Sequence, residues 1–148
     1  MDPLSTKLLA AQNECTLCWS TAQGAPAATI VSFVYYDDCI WMTALTGSAR
    51  VNRLLAQPRC ALVISGKGTE VGSACCVSMQ GDCDIVHDTS ERDRFFPRFA
   101  AAVLPDSKHG AAGMAAMMNS PENLVLRFRP DHIIPYDASA AMASANKP

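Results

Sequence analysis

The run CIWMTALTGSARVNRL, residues 39–54, changes its period half-way along. Residues 39–45 have the apolar, β-branched and aromatic make-up of a strand. Gly47 breaks the run and Ser48 is a good helix N-cap. Val51, Leu54 and Leu55 then recur at i, i+3 and i+4, which predicts a helix with these three on its inward face. Pro58 ends it. A helix N-terminus offers free N–H groups and the positive end of the helix dipole. Ser48 adds a hydroxyl, Arg50 a planar fork that grips two oxygens, and Arg53 a second cation one turn on. Two cations at a helix start oppose its dipole unless an anion sits there. The local pattern leaves two readings open, a capped surface helix with solvated arginines and a phosphate site.

Working outward, residues 4–12 predict a short helix with Leu4, Leu8 and Ala11 on one side. Strands are predicted over 15–21 and 27–36, joined by a Gly-Pro turn at 22–26. Asp37 and Asp38 make a tight turn into the strand at 39–45. Downstream come a strand at 60–65, a hairpin tip at 66–72 and a long strand at 73–88, with Gly81 marking a bulge or close approach. Thr89 or Ser90 caps a helix over 91–103, which Pro97 should kink or split. A loop with a weak helix follows, then two final strands, NLVLRFRP and HIIPYD, around a Pro-Asp turn. The tail from Ala138 is small and polar and is expected to fray. Short strands joined by short turns, with three or four helices inserted, predict a small antiparallel barrel in a single domain over 1–148.

Composition narrows the function classes. Hydrophobic residues make up 49% and charged residues 18%, as in a globular protein. The net charge of −2, with no long basic block, argues against nucleic-acid binding. No run of about 18 apolar residues occurs, so no membrane span is expected. The start MDPLSTKLLAAQNE does not read as a secretory signal, so a cytoplasmic location is expected. The seven cysteines are then reduced thiols by default. Cys15 and Cys18 form a C-x-x-C within a strand, where they point to opposite faces, and no second Cys or His pair completes a zinc set. They read as small buried hydrophobes. His87, His109 and His132 are scattered, and no metal site is expected. SGKG at 65–68 is not a phosphate loop, since position 61 is Ala and position 68 is Gly.

An ordered set of short motifs carries a resemblance. Gly24-Ala25-Pro26 leads into a strand ending at Tyr36-Asp37-Asp38, and the next strand ends near Thr43. Gly47-Ser48-Ala49-Arg50 starts a helix closed by Pro58-Arg59, and the long strand carries Gln80-Gly81. Together with LVLRFRPDHIIPYD, this set resembles the pyridoxamine 5'-phosphate oxidase-like family of flavin-binding proteins. The resemblance implies a mainly β (α+β) fold, a split β-barrel of antiparallel, Greek-key-like strands. It implies FMN at a homodimer interface, with the phosphate on Ser48 and Arg50. Met42 and Thr43 match positions that contact the flavin or its ribityl chain, and Thr29, Ile30 and Val31 match a strand whose backbone edges the ring. Arg53 falls where relatives often have Asn.

The function so implied is FMN-dependent oxidation or reduction of an unidentified small molecule. The Arg-x-His substrate segment of true pyridoxamine 5'-phosphate oxidases is not found, so a relative rather than that enzyme is expected. No Ser/His/Asp or paired-carboxylate constellation is present, and no side chain is assigned a catalytic role. This agrees with chemistry carried by a cofactor. Met114, Met117 and Met118 are candidates for a soft lid over the ring. The alternatives are a non-enzymatic flavin carrier or sensor, or a relative that takes a deazaflavin or haem, with His132 or a methionine as haem ligand.

Overall fold

The computed structural model describes residues 1–145. The elements run α1 (Pro3–Ala11), β1 (Glu14–Ser20), β2 (Pro26–Tyr36), β3 (Cys39–Leu45), α2 (Ala49–Ala56), β4 (Arg59–Ser65), β5 (Cys75–Val86), α3 (Thr89–Val103), α4 (Lys108–Met118), β6 (Asn123–Asp137) and α5 (Ser139–Ala145). The strands close into a six-stranded antiparallel barrel in the order β1-β2-β3-β6-β5-β4.

Alternation along the strands sorts side chains into two cores. Leu17, Phe33, Ile40, Met42, Leu62, Ile64, Met79 and Phe128 point inward and fill the barrel. A second core lies outside it, where Phe95, Phe96 and Phe99 of α3 cover Cys39, Trp41, Val86 and Val125. Strand β3 feeds both, Ile40, Met42 and Ala44 inward, Cys39 and Trp41 outward. The α3–α4 pair thus covers one outer face of the barrel.

Local chemistry sets the joints. Asp37 and Asp38 both adopt positive φ, 51° and 55°, in the two-residue turn between β2 and β3. Such turns match the natural twist of a hairpin, and Asp tolerates the left-handed region better than most residues. The cap of α1 is Asp2, whose carboxylate accepts from the Ser5 N–H at 3.0 Å. The cap of α3 is Asp88, one residue before the predicted Thr89 or Ser90. Its carboxylate accepts from the Glu91 N–H at 3.0 Å and from the Ser90 hydroxyl.

Four further expectations are corrected. Pro97 does not split α3, which stays one fifteen-residue helix. Pro97 is exposed, so the carbonyl it leaves unpaired one turn back can turn to water. Leu55 is 64% exposed, because the eight-residue α2 buries only Val51 and Leu54. The weak helix is a full one, α4, capped by Ser107, which accepts from the Gly110 N–H at 3.1 Å. The two final strands are one, β6, of fifteen residues. Its register shifts where Gln80 faces His132 and Gly81 faces Pro130, so Asp131 is a bulged extra residue. A bulge is where a strand tolerates a proline without an N–H to donate. The tail expected to fray begins as α5, with no buried residue; residues 146–148 lie outside the described part.

Candidate functional site

The barrel wall divides between β2 and β3. Their pairing runs from Tyr36 opposite Cys39 to Phe33 opposite Met42 and stops there. Beyond that point Pro26–Ser32 pairs only with β1, and Thr43–Leu45 only with β6. One lip of the split is the free edge of β2 at Thr29, Ile30 and Val31. The other is β3 from Thr43, with Met42 at the fork. A turn through Gly47, at φ +78°, leads from the second lip directly into α2.

The lip residues differ in what they can offer. Met42 is fully buried in the barrel core, so only its main chain faces outward. Val31 also points inward. Ile30 is 68% exposed on the outer face. Thr43 donates its hydroxyl to the Leu124 carbonyl at 3.0 Å, which ties that lip to β6. Thr29 makes only a long contact, 3.4 Å, with the Ile30 carbonyl.

At the start of α2 two polar groups are buried without a protein partner among the described residues. Ser48 has the extended backbone of an N-cap, yet its hydroxyl makes no capping bond. Both Ser48 Oγ and Arg50 Nε are enclosed and unpaired. Buried donors are nearly always satisfied in a native protein, so two orphans together call for an acceptor. No acidic residue stands in the first turn of α2. The donor set of one hydroxyl, one guanidinium and a helix N-terminus is what a phosphate requires.

Arg53 is engaged elsewhere. Its Nε donates to the Ser20 carbonyl at 2.8 Å and its terminal nitrogen to Gln57, so it braces α2 against β1. The methionines also divide. Met114 and Met118 pack against the outer core, and Met117 alone is strongly exposed. His132 is exposed on β6 beside the bulge.

A feature missed in the sequence lies on the face of the barrel away from α3. Ile30, Thr16, Val63, Ser78 and Ile134 are successive cross-strand neighbours over β2, β1, β4, β5 and β6. Ile30, Val63, Ile134 and nearby Tyr136 are exposed there. The signal was present as one outward apolar residue per strand, but it becomes a row only once the register is known.

Comparison with known proteins places the fold. The solved structures that resemble it include the conserved hypothetical protein Rv2991 from Mycobacterium tuberculosis, with a TM-score of 0.80 at 16% identity, covering 96% of this chain and 88% of that one. An F420 reductase aligns with a TM-score of 0.69 at 15% identity, over 90% of this chain and 98% of that one. The haem storage protein HutZ from Vibrio cholerae aligns with a TM-score of 0.66 at 12% identity, over 91% and 94%. At such identities the likeness concerns the fold alone. Among curated protein sequences, none matches this chain. The family model described as pyridoxamine 5'-phosphate oxidase matches residues 1–136. With nearly the whole barrel inside that match, the chain belongs to the pyridoxamine 5'-phosphate oxidase-like family.

Proposed function

We propose that this protein binds FMN in the split between β2 and β3 and acts as an FMN-dependent oxidoreductase on a small molecule other than pyridoxamine 5'-phosphate. The observation that carries the reading is the pair of orphaned donors, Ser48 Oγ and Arg50 Nε, at a helix start beside the open lip of β3. They would hold the phosphate. The free edge of β2 offers the main-chain N–H and C=O of Ile30, between Thr29 and Val31, to the ring, and the main chain at Met42 and Thr43 borders the ribityl chain. The isoalloxazine ring supplies the hydride or electron chemistry when bound. No acid or base from the protein is required for that.

The same reading includes a homodimer. The uncovered outer face carries the Ile30–Val63–Ile134 row, and Ile30 also stands on the lip of the split. A second copy seated on this face would bury the row and close the split from outside in one step. The apolar character of the row supports this.

The deciding experiment is the visible spectrum of the purified protein before and after FMN is added and the excess removed. A retained two-band flavin spectrum, with turnover of nicotinamide donors or small acceptors, supports the reading. Retained flavin without turnover makes the protein a carrier or sensor. A Soret band replaces FMN by haem, and a retained deazaflavin alone replaces it by that cofactor.

A further inference from the structure

A second opening lies on the other edge of β2. Asp37 and Asp38 close the hairpin, so Tyr36 and Cys39 form its hydrogen-bonded pair. The main-chain N–H and C=O of Tyr35 then point away from β3. Strand β1 does not reach them; its pairing with β2 ends at Glu14 opposite Ser32, followed by one bond from the Phe33 N–H to the Asn13 carbonyl at 2.8 Å. Beside this bare edge is a cleft of about 680 Å³, bordered along β2 by residues 33–36 and with Glu14, Lys67 and Arg98 at its rim.

The rim is held in place by bonds that leave its charges free. The Gln12 side-chain amide donates to the Ser65 and Lys67 carbonyls at 3.1 and 3.3 Å, fixing the hairpin that bears Lys67. The Asn13 amide donates to the Ala102 carbonyl at 2.9 Å, fixing the end of α3. Arg98 lies 5.0 Å over the Tyr36 ring and donates one bond, to the Arg94 carbonyl at 3.1 Å. Among the described residues, Glu14, Lys67 and Arg98 make no ion pair.

An unpaired strand edge, two free cations and one free carboxylate form a set of complementary groups. We propose that this cleft binds a short peptide with free ends, added as a strand on the Tyr35 edge. Its terminal carboxylate is held by Lys67 and Arg98 and its terminal ammonium by Glu14. Main-chain bonds to a bare edge give such a ligand its affinity, and the flanking groups its selectivity.

The test is a titration with L-alanyl-L-phenylalanine, its C-terminal amide and its N-acetyl form, followed by the backbone amide signals of the full-length protein. The free dipeptide should shift the Tyr35 amide saturably. Amidation of the ligand, or Lys67→Ala in the protein, should each weaken binding roughly tenfold or more, the worth of one charge-assisted bond. Glu14→Gln should weaken the free dipeptide and leave the N-acetyl form unchanged. No saturable shift at Tyr35, or equal binding of the dipeptide and its amide, overturns the proposal. The cleft lies on the opposite edge of β2 from the flavin split, so Lys67→Ala should retain FMN. A protein that ignores FMN but shows the Tyr35 shift would remove only the flavin reading.

Discussion

Gly81 and Arg129 approach so closely across β5 and β6 that no side chain fits at position 81. A Cβ there would lie 2.8 Å from the Arg129 carbonyl carbon, closer still to its oxygen, and 3.0 Å from Phe128 Cζ. The obstacle is backbone, and the bulge at Asp131 beside it fixes that backbone in place. Gly81→Ala should therefore destabilise the fold by about 2 kcal/mol or more. Urea unfolding followed by circular dichroism measures this, and an unchanged midpoint would mean the bulge can open to admit a methyl group.

Arg50→Ala should weaken FMN binding about 10- to 150-fold, the range of one hydrogen bond to a charged group. Ser48→Ala should weaken it less, since it loses a neutral donor. Arg53→Ala should act mainly on stability, because its bonds go to Ser20 and Gln57. Flavin fluorescence titration separates the three. Equal affinities for Arg50→Ala and the unaltered protein would take Arg50 out of the site.

Tyr36 gives the fold an alkaline limit. Its ring stacks on Trp41 at 4.6 Å, and its hydroxyl is buried without a partner. Burial, with a smaller contribution from Glu91, pushes its pKa up to about 12 against the opposing pull of Arg94 and Arg98. Between about pH 10 and 12 the unfolded chain gives up this proton while the folded one keeps it, so stability falls as pH rises. Tyr36→Phe should flatten that fall and, by removing the unpaired hydroxyl, stabilise the neutral protein by about 1 kcal/mol. Thermal melts at pH 7 and pH 11 report both effects. A variant that melts lower at pH 7 would show that the hydroxyl is satisfied by solvent.

The seven thiols should divide five to two. Cys15, Cys39, Cys60, Cys75 and Cys83 are buried, and Cys18 and Cys76 are partly exposed. Burial, then the neighbouring Cys18, pushes the Cys15 thiol up to about 12, and a hydrogen bond to Cys60 followed by burial raises Cys83. Reactivity follows the thiolate and its access. A thiol-disulfide reagent at neutral pH should label Cys18 and Cys76 first and the other five only on unfolding. Early labelling of Cys15 in a peptide map would contradict this.

Ile134→Asp should turn a homodimer into a monomer. Ile134 is 48% exposed at the end of the apolar row, so the change disturbs no core. Sedimentation velocity with and without FMN reads the outcome. A monomeric unaltered protein that binds FMN tightly would end the interface reading.

Much of the fold was legible because its signals are local. The β2–β3 hairpin, the Ser48 start of α2 and the strand positions follow from turn chemistry and period. The misreadings came where tertiary contacts outweigh local rules. Pro130 looked like a strand end, but the extra residue Asp131 let β6 run past it, with its carboxylate bridged to Arg59. Leu55 looked buried by spacing, but α2 is too short and too shallowly seated to bury a third apolar residue. At the candidate site, the placing of Ser48 and Arg50 together at one helix start was legible. The engagement of Arg53 by Ser20, 33 residues away in the chain, was not. Nor was the row from Ile30 to Ile134, which exists only through the register of five strands.

Strand β3 gives alternate side chains to the barrel interior and to the aromatic core under α3. The helical pair therefore cannot peel away without uncovering Trp41, and the barrel cannot open without releasing Met42 one residue along the same backbone. A strand shared in this way makes two hydrophobic compartments melt as one cooperative unit. It also makes β3 the last segment from which amide protons would exchange with solvent.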